Sequence, residues 1–121
     1  MAKPKNRRNV LVVDDDLTDL RLMKSALEDG GFEVFISTDG RQAMDLIARQ
    51  EIALVLLDIK MPEISGYDLL RMLRERVDGT IKIIFVTVVP KNDVEFEGVD
   101  GFVQKPFSKE RLLAEVNRVL R

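Results

Sequence analysis

Three stretches of this chain are apolar almost without interruption: VLVV at 10–13, IALVLLD at 52–58 and IKIIFVT at 81–87, the last broken only by Lys82. A strand with one face in water alternates apolar and polar residues. A strand apolar on both faces must be covered on both, the situation of inner strands in a parallel sheet. Two lesser runs, FEVFI at 32–36 and GFVQK at 101–105, read as further strands. Between the strands lie stretches with helical spacing. Leu20, Met23 and Leu27 share one face of 17–28, which Gly30 and Gly31 stop. Ser37, Thr38 and Asp39 offer N-caps for a helix to about 49, with Ala43, Leu46 and Ile47 inward. Residues 66–77 carry Leu69, Leu70 and Leu73, and Ser108 caps a last helix with Leu112, Val116 and Val119 on one face. Strands alternating with helices predict an α/β fold: a doubly wound parallel sheet of five strands, with helices on both faces.

At 121 residues this is one domain by size. It has no Cys and no His, which excludes thiol nucleophiles, disulfides, Ser-His-Asp triads and every Cys- or His-held metal. A metal here has oxygen ligands only, which favours a hard cation. Four of the 19 basic side chains, Lys3, Lys5, Arg7 and Arg8, stand in the first eight residues, which hold none of the 21 acids. Residues 1–8 therefore read as a basic, disordered arm on an acidic body, 9–121. That body has no nucleic-acid footprint. No apolar run has the length of a membrane span, and none ahead of a cleavage site reads as a signal peptide. The expected location is the cytoplasm.

Ligands of open parallel sheets bind beyond the carboxyl ends of the strands. Here those ends carry Asp14, Asp15 and Asp16, then Asp58, then Thr87, then Lys105 before Pro106. Each also has a plain reading: Asp16 or Thr18 as a helix cap, Thr87 as a β-former, Lys105 as a surface charge. Together on one edge they suggest more. Close carboxylates repel by about 4 kcal/mol per pair near 4 Å at an effective dielectric near 20. A magnesium ion relieves that repulsion and suits carboxylate, water and phosphate oxygens. A carboxylate beside a metal, an ammonium and a hydroxyl is a phosphoryl-transfer constellation.

The segments VLVVDDD (10–16), LVLLDIKMPEISGYDLL (54–70), IIFVT (83–87) and GVDGFVQKPF (98–107) resemble the receiver domain of two-component response regulators. The likeness runs over nearly the whole chain, about 9–121. It implies the flavodoxin-like strand order 2-1-3-4-5. It implies Asp58 as phosphoacceptor for a sensor histidine kinase or phosphotransfer protein. Magnesium would be held by Asp15, Asp58 and the backbone carbonyl of Lys60, with Asp14 acting through water. Thr87 becomes the hydroxyl that moves toward the phosphoryl group, Lys105 its ion-pair partner and Phe102 the switch aromatic. The Lys105–Pro106 bond is expected to be cis. Such a domain catalyses only its own phosphorylation and dephosphorylation. The sequence reads the same for a stand-alone regulator as for a piece of a larger one.

The chain departs from the family pattern between Thr87 and Lys105, which is short. VVPKNDVEFEGVD (88–100) leaves room for at most about two turns of helix, so the fourth helix is shortened or missing. Val88 stands where a small residue is usual, and Lys60 can reach over the phosphoryl group; both predict altered autodephosphorylation. Two rivals remain. One is a phosphorylation-independent, receiver-like interaction module. The other is an aspartate-nucleophile phosphatase of the haloacid dehalogenase type, with Asp14 as nucleophile, Asp16 as acid/base, and Thr87 and Lys105 as later motifs. It would need a further acidic motif, for which only Glu110 and Glu115 remain, and it leaves Asp58 unexplained.

Overall fold

The computed structural model describes residues 8–76 and 80–121. Its elements run β1 (Asn9–Val13), α1 (Leu17–Asp29), β2 (Glu33–Ser37), α2 (Gly40–Arg49), β3 (Leu54–Leu57), α3 (Gly66–Arg76), β4 (Lys82–Thr87), a 3-10 turn (Lys91–Asp93), β5 (Gly101–Gln104) and α4 (Lys109–Leu120). The strands form one sheet in the order β2-β1-β3-β4-β5, and all four pairings are parallel. The expected doubly wound α/β fold and strand order are both present. The expected end of the third helix, Val77, lies outside the described residues, as do Lys3, Lys5 and Arg7.

The three apolar runs are the inner strands β1, β3 and β4, and their pleat sorts side chains onto two faces. Leu11, Val13, Val55, Leu57, Ile83 and Phe85 meet α2 and α3 through Ala43, Ile47, Leu69, Leu70 and Leu73. Val10, Val12, Leu54, Leu56, Ile84 and Val86 meet α1 and α4 through Leu20, Met23, Leu27, Leu112 and Val116. Short polar side chains start the helices. Asp16 accepts from the amides of Thr18 and Asp19, Asp39 from that of Gln42, and Ser108 from that of Arg111. Asp16 therefore takes the capping role, the plainer of its two sequence readings.

Between β4 and β5 the fourth helix of the family pattern is missing; the 3-10 turn stands in its place. Contacts from elsewhere hold this segment. Val94 plugs into the core. The Tyr67 hydroxyl accepts from the Glu95 amide at 3.0 Å. Arg74 donates to the carbonyls of Ile81 and Gly98. Gly98 turns the chain with φ +79, a backbone region that suits glycine. Of the basic arm only Arg8 is described, and it is bound: its guanidinium donates to the carbonyls of Gly30 and Gly31 and lies 4.2 Å from the centre of the Phe32 ring. No helix among the described residues is long and apolar enough to cross a membrane.

Candidate functional site

The strand order reverses between β1 and β3, since β1 pairs with β2 on its other side. Val13 pairs with Leu57, so the next residues, Asp14 and Asp58, emerge side by side at that switch point. The Asp58 amide donates to the Val13 carbonyl at 3.1 Å and fixes this placement. On the far side of β3, β4 ends at Thr87. Thr87 pairs with Gln104, and its carbonyl accepts from the Lys105 amide at 2.8 Å. Parallel register thus brings residues far apart in the chain to one edge. The Lys105–Pro106 bond is cis, as expected.

Gly66 keeps the site narrow. A β-carbon there would lie 2.3 Å from the Asp58 carbonyl oxygen and 2.8 Å from the α-carbon of Ile59. Only glycine lets the start of α3 pack so closely under the Asp58 loop.

Lys105 is the hub. Its Nζ donates to Asp14 Oδ2 at 2.6 Å, Asp19 Oδ2 at 2.7 Å and Asp58 Oδ2 at 3.0 Å. Asp14 is fully buried, and Asp58 and Thr87 are buried too. The other oxygen of Asp14 accepts from the Asp16 amide, and Oδ1 of Asp58 from the Lys60 amide at 3.2 Å. Burial pushes the Asp14 carboxyl up, against the bonds from Lys105 and the Asp16 amide. Burial alone would push the Lys105 ammonium down, but its bonds to the three carboxylates outweigh that and hold it above the ordinary lysine range.

Asp14, Asp15 and Asp58 each offer a carboxylate oxygen, and these atoms lie within 4.8 Å of one another. Asp15 is the exposed member. The set is all oxygen and open on one side, which fits a hard divalent cation keeping several waters. Thr87 Oγ1 accepts from the Val89 amide at 3.2 Å, leaving its hydrogen free to turn. Val88 is exposed beside it. Phe102 is buried in β5, edge-on to the ring of Phe96, with centroids 5.6 Å apart.

One member of the cluster, Asp19, escaped the sequence reading. It lies in the first turn of the helix that follows the Asp14 strand end, where an acid reads equally as a partner of the helix dipole. The two remaining acids of the phosphatase reading lie in the last helix, where Glu115 binds the Phe102 amide and Arg118.

Comparison with known proteins points one way. The sequence model of one family, the response regulator receiver domain, matches residues 10–117. A probable transcriptional regulator, ycf27, of Cyanophora paradoxa is 34% identical, over 96% of this chain and 49% of that protein. Response regulator MprA of Mycolicibacterium vanbaalenii is 34% identical, over 93% of this chain and 50% of that one. The chain thus spans about half the length of the curated relatives it matches. The chemotaxis response regulator CheY4 of Vibrio cholerae superposes with a TM-score of 0.84 at 28% identity, covering 92% of this chain and 97% of that one. Response regulator TrrA of Thermotoga maritima, solved in complex with Mg(2+)-BeF, gives 0.83 at 30% identity, covering 93% and 98%.

Proposed function

This chain belongs to the response regulator receiver domain family, and from that premise we propose that it is a phosphoacceptor switch with Asp58 as the acceptor. The observation that carries the reading is the placement of buried Asp58 beside Asp14, with the Lys105 ammonium on its Oδ2. A carboxylate oxygen of Asp58 attacks the phosphorus of a phosphohistidine on a sensor kinase or phosphotransfer protein. The P–N bond breaks, and the imidazole nitrogen leaves with the bonding pair. Lys105 offsets the negative charge that builds on the phosphoryl oxygens. Thr87 turns its hydroxyl hydrogen toward one of them.

Asp14, Asp15, Asp58 and the backbone carbonyl of Lys60 are the groups that would hold magnesium. Bound there, magnesium supplies positive charge to the same phosphoryl oxygens. The domain acts on no other substrate. Its product is a shifted conformational population, because Thr87 and Lys105 reach the new oxygens in only one arrangement of their loops. Phe102 and the segment before it carry that shift to a downstream effector in the cytoplasm. Exposed Val88 and Lys60 limit the approach of water, so autodephosphorylation is slow. A Lys60→Ala protein that dephosphorylates at the unchanged rate would remove Lys60 from this account.

The test is intact mass after incubation with magnesium and a small phosphodonor. One phosphoryl increment is expected, absent in Asp58→Asn and in EDTA. An increment that survives Asp58→Asn but vanishes in Asp14→Asn would favour the phosphatase reading. No increment with any donor would leave the phosphorylation-independent module.

A further inference from the structure

We propose that Asp19 is a positioning residue for Lys105, competing with a phosphoryl group on Asp58 for the same ammonium; the proposal rests on the reading of Asp58 as phosphoacceptor. An ammonium has three N–H donors. Here three carboxylates take them, and the Asp19 bond, 2.7 Å, is shorter than the bond to the acceptor, 3.0 Å. The Lys105 side chain is 8% exposed, so water is a poor substitute for any of the three.

Asp19 is not needed to neutralise Lys105. Asp14 and Asp58, both buried, already give it two carboxylate partners. Asp14, Asp19 and Asp58 surround one ammonium, and Asp15 stands beside Asp14 and Asp58, so the acids at this edge outnumber the cation. The Asp19 charge therefore has two opposite effects. It attracts a cation, and it opposes an incoming phosphoryl group, which brings about −2 of its own.

The three partners differ in how they can yield. Asp14 is fully buried and has nowhere else to find a donor as strong. The Asp19 side chain is 28% exposed and sits in the first turn of α1, where water can take the place of the ammonium. Asp19 is thus the partner that lets go when Lys105 turns to phosphoryl oxygens. Its backbone amide is tied to Asp16, whose own amide is tied to Asp14. The exchange is therefore felt at the start of α1, a second element besides Phe102 that senses the state of Asp58.

The test compares wild type, Asp19→Asn and Asp19→Glu with two probes. Magnesium alone is titrated by calorimetry. Beryllium fluoride, a phosphoryl mimic, is titrated at saturating magnesium by fluorine NMR. Asp19→Asn should weaken magnesium binding and tighten beryllium fluoride binding, each by about threefold to tenfold. Asp19→Glu, which keeps the charge, should restore wild-type values. A merely structural role would move both affinities the same way. Parallel shifts, or none, in a wild type that binds the fluoride at Asp58 overturn the proposal and leave the phosphoacceptor reading intact. A wild type that binds no fluoride, or binds it equally after Asp58→Asn, overturns both. If Asp19→Asn does not fold, Asp19→Ser takes its place, and failure of both assigns Asp19 a structural role and ends the proposal.

Discussion

Lys105 Nζ lies 2.6 Å from Asp14 and 3.0 Å from Asp58, so the acceptor is the more loosely held of the two buried carboxylates that share it. Replacing the lysine leaves both carboxylates buried without their cation. Lys105→Met should destabilise the metal-free protein by about 3 kcal/mol, the usual size for removing one partner of a buried pair. Urea unfolding in EDTA at neutral pH measures it. Magnesium should recover part of the loss. A cost below about 1 kcal/mol would mean that the pair contributes little to folding.

Asp15 gives the opposite sign. It is the exposed carboxylate of the cluster, within 4.8 Å of the Asp14 and Asp58 oxygens. Neutralising it removes repulsion and costs little solvation. Asp15→Asn should raise metal-free stability by about 1 kcal/mol, and the Tm increase that magnesium gives the wild type should largely disappear. Thermal melts with and without magnesium decide both points. A variant that keeps the full magnesium response would remove Asp15 from the ligand set.

The strands most legible in the sequence were those whose run of apolar residues had one physical explanation. Val10–Val13 and Leu54–Leu57 admit only a doubly covered strand, and Asp14 and Asp58 follow from their ends. Asp19 was not legible, because an acid in a first helical turn reads equally as a dipole partner. What separates the two readings is Lys105, 86 residues away, which no local pattern links to it. Arg8 likewise read as part of a charged arm, yet its partners at Gly30, Gly31 and Phe32 appear only once β1 and β2 pair. In 88–100, Pro90 and Gly98 signalled a short segment, but its anchors, Tyr67 and Arg74, come from α3.

That anchoring can be measured. Tyr67 packs edge-on against Phe85 and accepts from the Glu95 amide at 3.0 Å. Tyr67→Phe keeps the ring contact and removes only the acceptor. The expected cost is about 1 kcal/mol, the ordinary worth of one hydrogen bond. Amide exchange should quicken at Glu95 and its neighbours while β3 and β4 stay protected. Unchanged exchange at Glu95 would show that Val94 and Arg74 hold the segment without the Tyr67 hydroxyl.

Glu115 ties α4 to the strand that bears Phe102. Its Oε2 accepts from the Phe102 amide at 2.9 Å, and Oε1 from Arg118 at 2.8 Å. A β-carbon at Gly101 would stand 2.9 Å from that same Oε2, so the glycine makes room for the carboxylate. The Arg118 guanidinium, against a smaller cost of burial, holds the Glu115 carboxyl below its ordinary value of 4.5. A lowered native pKa gives stability that is present in full above the unfolded value and lost as pH falls through the native one. Glu115→Gln keeps an oxygen for the Phe102 amide but loses the charge facing Arg118. The variant should be less stable than wild type by about 1 kcal/mol at pH 7, and the gap should close on acidification below the unfolded value. Urea unfolding of both proteins at neutral and acid pH gives the two gaps. A gap that stays constant through that range would mean that the carboxylate charge does not hold α4 to β5.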